Sequence, residues 1–137
     1  MTNDITCLKE GRVIDPVNGI DEVKDLYFQN GKFIEKFSFQ SPSSINIINL
    51  KGKILFPGLI DLRCHLKNIS NGSEHISTTS RIAASGGYTT ILQMPDSEPR
   101  ADNSAAIQYI QDRINKYSCI KVLLCGCLTQ GSKGEEL

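Results

Sequence analysis

The periodicity of this sequence changes at Pro57, and that change restricts the fold more than any other feature. Beyond it, β-rich runs alternate with helical ones. Leu59–Leu66 reads as a strand running into a loop. Ser73, a candidate N-cap, opens a helix to about Ser85, and Gly86-Gly87 stops it. Tyr88–Met94 is a second strand, followed by a polar loop from Pro95 to Pro99. Asp102 or Asn103 caps a second helix to about Tyr117, with Ala105, Ile107, Ile110 and Ile114 close to helical spacing. Cys119–Cys127 has the near-continuous apolar look of a strand in a parallel sheet. Strands separated by helices of this length predict parallel βαβ units, which a doubly wound sheet and a barrel accommodate equally well.

Before Pro57 the pattern is one of short strands and turns. Strands are expected at Thr6–Val13, Asp25–Gln29, Lys32–Phe39 and Ile45–Leu50. Asp15-Pro16-Val17-Asn18-Gly19 has strong turn chemistry, because proline fixes φ and Asn-Gly accepts positive φ. Asn30-Gly31 is a hairpin signal. The class is therefore α/β, with a small β-unit over residues 1–55 and βα units over 56–137.

Composition narrows the function classes. Fifteen Lys and Arg balance fifteen Asp and Glu, with no basic stripe or arm, so nucleic acid is not an expected partner. No stretch approaches the roughly 20 apolar residues that span a bilayer, and the first residues lack a signal-peptide pattern. A cytoplasmic protein with no membrane partner is expected. The five cysteines (Cys7, Cys64, Cys119, Cys125 and Cys127) are odd in number and loosely spaced, which argues against a disulfide framework. Cys125-Gly126-Cys127 reads as part of a buried strand rather than a soft-metal pair. Neither Gly86-Gly87 nor Gly131–Gly134 fits a glycine-rich phosphate loop.

Five segments, in order, resemble the dihydroorotases of the amidohydrolase superfamily: Gly11–Ile20, Lys51–Leu62 with its Pro57-Gly58-Leu59-Ile60-Asp61 run, Ala83–Thr90, Met94-Pro95, and Thr129–Leu137. The resemblance implies part of a small N-terminal β-sandwich, then the first three strands and two helices of an incomplete amidohydrolase (β/α)-barrel. A whole barrel takes about 250 residues, more than this 137-residue chain supplies. The resemblance also implies a family reaction: reversible ring closure of N-carbamoyl-aspartate to dihydroorotate in pyrimidine synthesis. One or two divalent metals, usually zinc, activate water there, and a barrel aspartate moves the proton.

Several residues depart from the family's first-strand pattern, Asp-x-His-x-His-x-Arg. Here it reads Asp61-Leu62-Arg63-Cys64-His65-Leu66-Lys67. Side chains two apart on a strand share a face, so the two histidines of the pattern would share a metal. Arg63 takes the first ligand place, and a guanidinium offers no lone pair. Held about 4 Å from a divalent ion at an effective dielectric of about 20, it would repel the ion by roughly 8 kcal/mol. Cys64 cannot replace it, because alternation turns Cys64 to the other face unless a bulge rotates it inward. His65 alone remains of the ligand positions. Lys67 stands where the family has a substrate-binding arginine and keeps the charge without the bidentate fork. Asp96 stands where the family's Met-Pro is followed by a substrate-binding asparagine, and its charge would repel substrate carboxylates. Arg63 is expected to pair with Asp61 or Asp96. His75 and Glu135-Glu136 read as surface residues, and Asp61 as a structural residue.

No catalytic residue and no cofactor is therefore expected in this chain, although zinc belongs to the family. The altered positions resemble non-catalytic dihydroorotase-like subunits that assemble with aspartate transcarbamoylase, and such an assembly role is the first expectation. The alternative is the N-terminal part of an active metal-dependent dihydroorotase, with ligands drawn from residues such as Cys64 and His65. A third reading is a remnant that does not fold alone.

Overall fold

A computed structural model describes residues 5–35, 45–66 and 73–136. The chain divides into two compact units, Met1–Pro57 and Gly58–Leu137.

The first unit is a five-stranded sheet built around β1 (Ile5–Asp15). β1 pairs antiparallel with β2 (Ile20–Gln29), and β2 with β3 (Lys32–Ile34). On its other side β1 pairs in parallel with β4 (Ile45–Asn49) and with β5 (Ile54–Leu55). The β1–β2 turn is held by Asp15, whose Oδ1 accepts the N–H groups of Val17 and Asn18 at 3.1 and 3.3 Å, while Gly19 takes φ +66. Asn30 and Gly31, at φ 51 and 74, link β2 to β3 with Gln29 opposite Lys32, as the Asn-Gly signal requires. Ile5, Cys7 and Val13 are buried along one face of β1. The described residues of this unit form a single sheet.

Three of these strands differ from expectation. β1 and β2 run longer than the apolar runs suggested, because the turn lets pairing continue to Asp15 opposite Ile20. β3 ends at Ile34, and the rest of the expected Lys32–Phe39 strand lies, beyond Glu35, outside the described residues. β1 also carries a bulge: the register shifts between Leu8 and Gly11, with Glu10 at φ 59 and its N–H donated to Asp25 Oδ1 at 2.9 Å.

In the second unit, β6 (Leu59–Cys64), β7 (Tyr88–Gln93) and β8 (Lys121–Leu124) form a parallel sheet in that order. Helices α1 (Ser73–Ser85) and α2 (Ser104–Tyr117) are the two crossovers. Ile76 of α1 and Ile110 and Ile114 of α2 pack with Ile91 of β7 and Val122 of β8 into the unit's core, joined by Leu66 and Ala101. Asn103 is the α2 cap, its Oδ1 accepting the Ala106 N–H at 2.9 Å. Of the four residues read as helical spacing, only Ile110 and Ile114 are buried; Ala105 and Ile107 face outward. Ser73 lies within α1 rather than capping it. At the other end, Gly86 donates to the Ile82 and Ala83 carbonyls, and Gly87 leaves the helix at φ +86.

The expected Cys119–Cys127 strand contracts to four residues. Ser118 Oγ accepts the Ile120 N–H and donates to the Ile120 carbonyl, making a local turn before β8. Cys125 and Cys127 fall in the loop after β8, half-buried, and Cys119 is exposed, so the reading of these residues as buried strand fails. All five cysteines are free. The C-terminal stretch is also less of a free tail than its polarity suggested. Gln130–Ser132 makes a 3-10 turn, and Gly131 donates its N–H to Asp102 Oδ2 at 2.8 Å. Glu135 and Glu136 are exposed, as expected.

Candidate functional site at the strand ends

Because β6, β7 and β8 are parallel, their C-terminal ends share one end of the sheet, where open α/β folds place ligands. Backbone bonds knit that end together. Met94 N–H donates to the Cys64 carbonyl at 2.8 Å, Cys125 N–H to Gln93 at 2.9 Å, and Cys127 N–H to Ala101 at 2.8 Å.

Gln93 is the organising side chain. It is buried, its Oε1 accepts the Leu66 N–H, and its Nε2 donates to the Met94 carbonyl at 2.6 Å. One amide thus satisfies groups on both segments leaving β6 and β7, groups that would be costly to bury unpaired. The sequence reading missed it. The available signal was a lone amide at the end of the β-rich run Tyr88–Gln93.

Immediately outside it, His65 Nδ1 and Asp96 Oδ2 are 2.8 Å apart. Their side chains are 41% and 39% exposed, so an ion pair there is screened and contributes at most about 1 kcal/mol. Its geometric effect is to hold the loop after β7 against the end of β6. Asp96 is thereby engaged by a neighbouring side chain.

Arg63 is exposed, and its guanidinium forms no ion pair among the described residues. The expected pairing with Asp61 or Asp96 is not formed: Asp61 Oδ1 accepts the backbone N–H of Arg63 at 2.8 Å, and Asp96 faces His65. Asp61 thus acts on the strand backbone. Cys64 packs against the core. The β6–β7 register does shift between Asp61 and Cys64, yet the irregularity leaves the thiol on the core side. Burial, and then the Asp61 charge, push the Cys64 thiol above its ordinary range. His75 is exposed on α1, and Lys67 lies outside the described residues.

These residues do not fit a zinc centre of the family's kind. The first ligand place holds the Arg63 guanidinium, which has no lone pair to give a metal. Among the described residues no group of three or more His, Cys, Asp or Glu is placed to hold a metal ion. Nor, among them, is any helix long and apolar enough to cross a membrane.

The fold is shared with solved structures of longer proteins. The L-hydantoinase (dihydropyrimidinase) of Arthrobacter aurescens superimposes with a TM-score of 0.68 at 25% identity, over 96% of this chain and 29% of that one. A prolidase-type structure from Bifidobacterium longum, 19% identical, shares the fold with a TM-score of 0.61 over 100% of this chain and 34% of its own. Sequence comparison narrows the class. Residues 52–137 match the family model for dihydro-orotase-like proteins. The dihydroorotase of Geobacter sulfurreducens is 39% identical over 132 residues, and that of Endomicrobium trichonymphae 34% over 131; each match takes in 95% of this chain. The chain belongs to the dihydro-orotase-like family. It spans about a third of the length of these relatives (31% and 30%).

Proposed function

We propose that this chain is the N-terminal part of a dihydroorotase-like barrel that works in pyrimidine biosynthesis without catalysing the family reaction, as an assembly subunit beside aspartate transcarbamoylase. The observation that carries this reading is the state of the strand end. Arg63 occupies the first ligand place, and Asp96, where the family binds substrate with an amide, is an anion turned to His65. A metal there loses a ligand and meets a positive charge, and a substrate carboxylate meets a negative one. Lys67, the third altered place, keeps charge without a fork.

The test is elemental analysis of the purified protein beside an Arg63→His variant, with dihydroorotate hydrolysis assayed in added zinc. Size-exclusion of a mixture with the catalytic subunit of an aspartate transcarbamoylase completes it. The expected result is no metal and no turnover in the natural protein, and co-elution with the transcarbamoylase. Stoichiometric zinc with turnover would give first place to the second reading, an active metal-dependent enzyme, which the identity to dihydroorotases and the surviving His65 favour. Absence of co-elution would remove the assembly role.

A further inference from the structure

We propose that the stripe of α2 formed by Tyr109, Arg113 and Tyr117 is a docking surface for an acidic polypeptide segment of a partner protein, with the Arg113 guanidinium taking its carboxylate. The inference rests on none of the readings of metal, catalysis or transcarbamoylase.

Residues four apart lie on one side of a helix, so Tyr109, Arg113 and Tyr117 make a single stripe. The Arg113 guanidinium lies 5.7 Å from the Tyr109 ring centroid and 5.5 Å from that of Tyr117. Both distances are within cation–π range. Its Nε is buried and has no hydrogen-bond partner. Among the described residues the guanidinium forms no ion pair. Aromatic contact therefore sets its place, where a carboxylate ordinarily would. A buried donor left unpaired is costly, and such an exception calls for a physical reason.

The charge around the stripe supplies one. Lys116 Nζ lies 5.3 Å from the Tyr117 ring centroid, so one ring serves two cations. Like charges gathered in this way raise the local potential and favour an anion. The one carboxylate on α2, Asp112, is engaged by Gln108, whose Nε2 donates to its Oδ1 at 2.8 Å. The stripe also lies on the side of α2 opposite Gln111 and Asn115, and is therefore distinct from the groove that those residues line beside β8. Two features select a polypeptide over a small anion. Tyr109 is 42% exposed, so open ring surface borders the cation. Tyrosines flanking an arginine are also the composition that carries most binding energy at protein interfaces. A carboxylate seated against the guanidinium, with the apolar stem of its side chain over the Tyr109 ring, uses both.

The test titrates the purified protein with an acetylated hexaglutamate peptide and follows the Arg113 Nε–Hε signal and the Tyr109 and Tyr117 ring signals by NMR. Hexaglutamine, inorganic phosphate and a Lys32→Gln variant, which removes an exposed charge from the first unit, are the controls. The expected result is saturable binding that moves these signals and weakens at least about tenfold in Arg113→Lys, which keeps the charge but loses the planar fork. Lys32→Gln should change it less than about twofold, and hexaglutamine should not bind. Where Arg113→Lys fails to fold, the signal map of the natural protein decides. Binding that leaves the Arg113 and tyrosine signals unmoved, equal weakening by Lys32→Gln, phosphate bound as tightly as the peptide, or no binding at all would each overturn the proposal. Zinc content and co-elution with a transcarbamoylase are independent of either result.

Discussion

Replacing Gln93 with leucine isolates the part of the site that holds the two strand-end segments together. The side chain is 1% exposed, and Leu66, whose N–H it accepts, is 3% exposed. Gln93→Leu keeps the volume and orphans that buried donor, which costs about 1–3 kcal/mol. The Met94 carbonyl also loses its partner, but it is half-buried and can take up water, so it adds little. Leucine gives back part of the loss through apolar contact with the core, on the order of 1 kcal/mol. The net is a destabilisation of up to about 2 kcal/mol, which for a unit of this size lowers Tm by up to about 15 °C. Thermal unfolding by circular dichroism reads the shift, and hydrogen exchange at the Leu66 amide reads its cause. If the variant melts where the parent does and the Leu66 amide stays as protected, the assignment of Gln93 as organiser is wrong.

Three further perturbations follow from the same geometry. A Cβ on Gly58 would sit 2.1 Å from Thr89 Cγ2 and 2.7 Å from its Cβ, a clash that side-chain rotation cannot remove; Gly58→Ala should cost about 1–3 kcal/mol in denaturant unfolding, with partial recovery when Thr89→Gly accompanies it. With its pKa raised by burial, Cys64 stays protonated where an ordinary thiol ionises, so iodoacetamide at mildly alkaline pH should label exposed Cys119 first; equal rates by mass spectrometry would contradict the burial argument. The side-chain amide of Asn18, followed by its backbone N–H, holds the Asp15 carboxyl below its ordinary value of 3.8; the turn's contribution to stability is present above that value and is lost as pH falls through the lowered pKa. Carboxyl NMR of Asn18→Ala should show Asp15 titrating closer to 3.8.

What the sequence disclosed was mostly local. Asn30-Gly31, Asn103 and Gly86-Gly87 act within a few residues of themselves, and each stands where its chemistry placed it. The alternation beyond Pro57 predicted parallel strands, and the order β6-β7-β8 follows. Pairing across long stretches of chain left no local mark. β4 lies in parallel beside β1, and β5, two residues long, is too short to carry a period. The site divided in the same way. Alternation separated Arg63 from Cys64 correctly, because it depends only on adjacent residues. The meeting of His65 with Asp96, and of Leu66 with Gln93, depends on how β6 and β7 register, and single positions do not encode that. Asp96, one of the two carboxylates expected to pair with Arg63, is therefore held by a histidine.

The mixed neighbours of β1 set an order of assembly for the first unit. Its antiparallel side closes through a tight turn at Pro16–Gly19, a short loop whose entropy cost is small. Its parallel side sets Ile5 against Ile45, so the chain must first traverse β2 and β3 and return. Local closure precedes distant closure when both draw on the same strand, and the hairpin therefore templates the crossover. Substitutions in the β1–β2 turn should slow folding, whereas substitutions in β4 should mainly speed unfolding. The strand that joins the two halves of this sheet is thus also its kinetic hub.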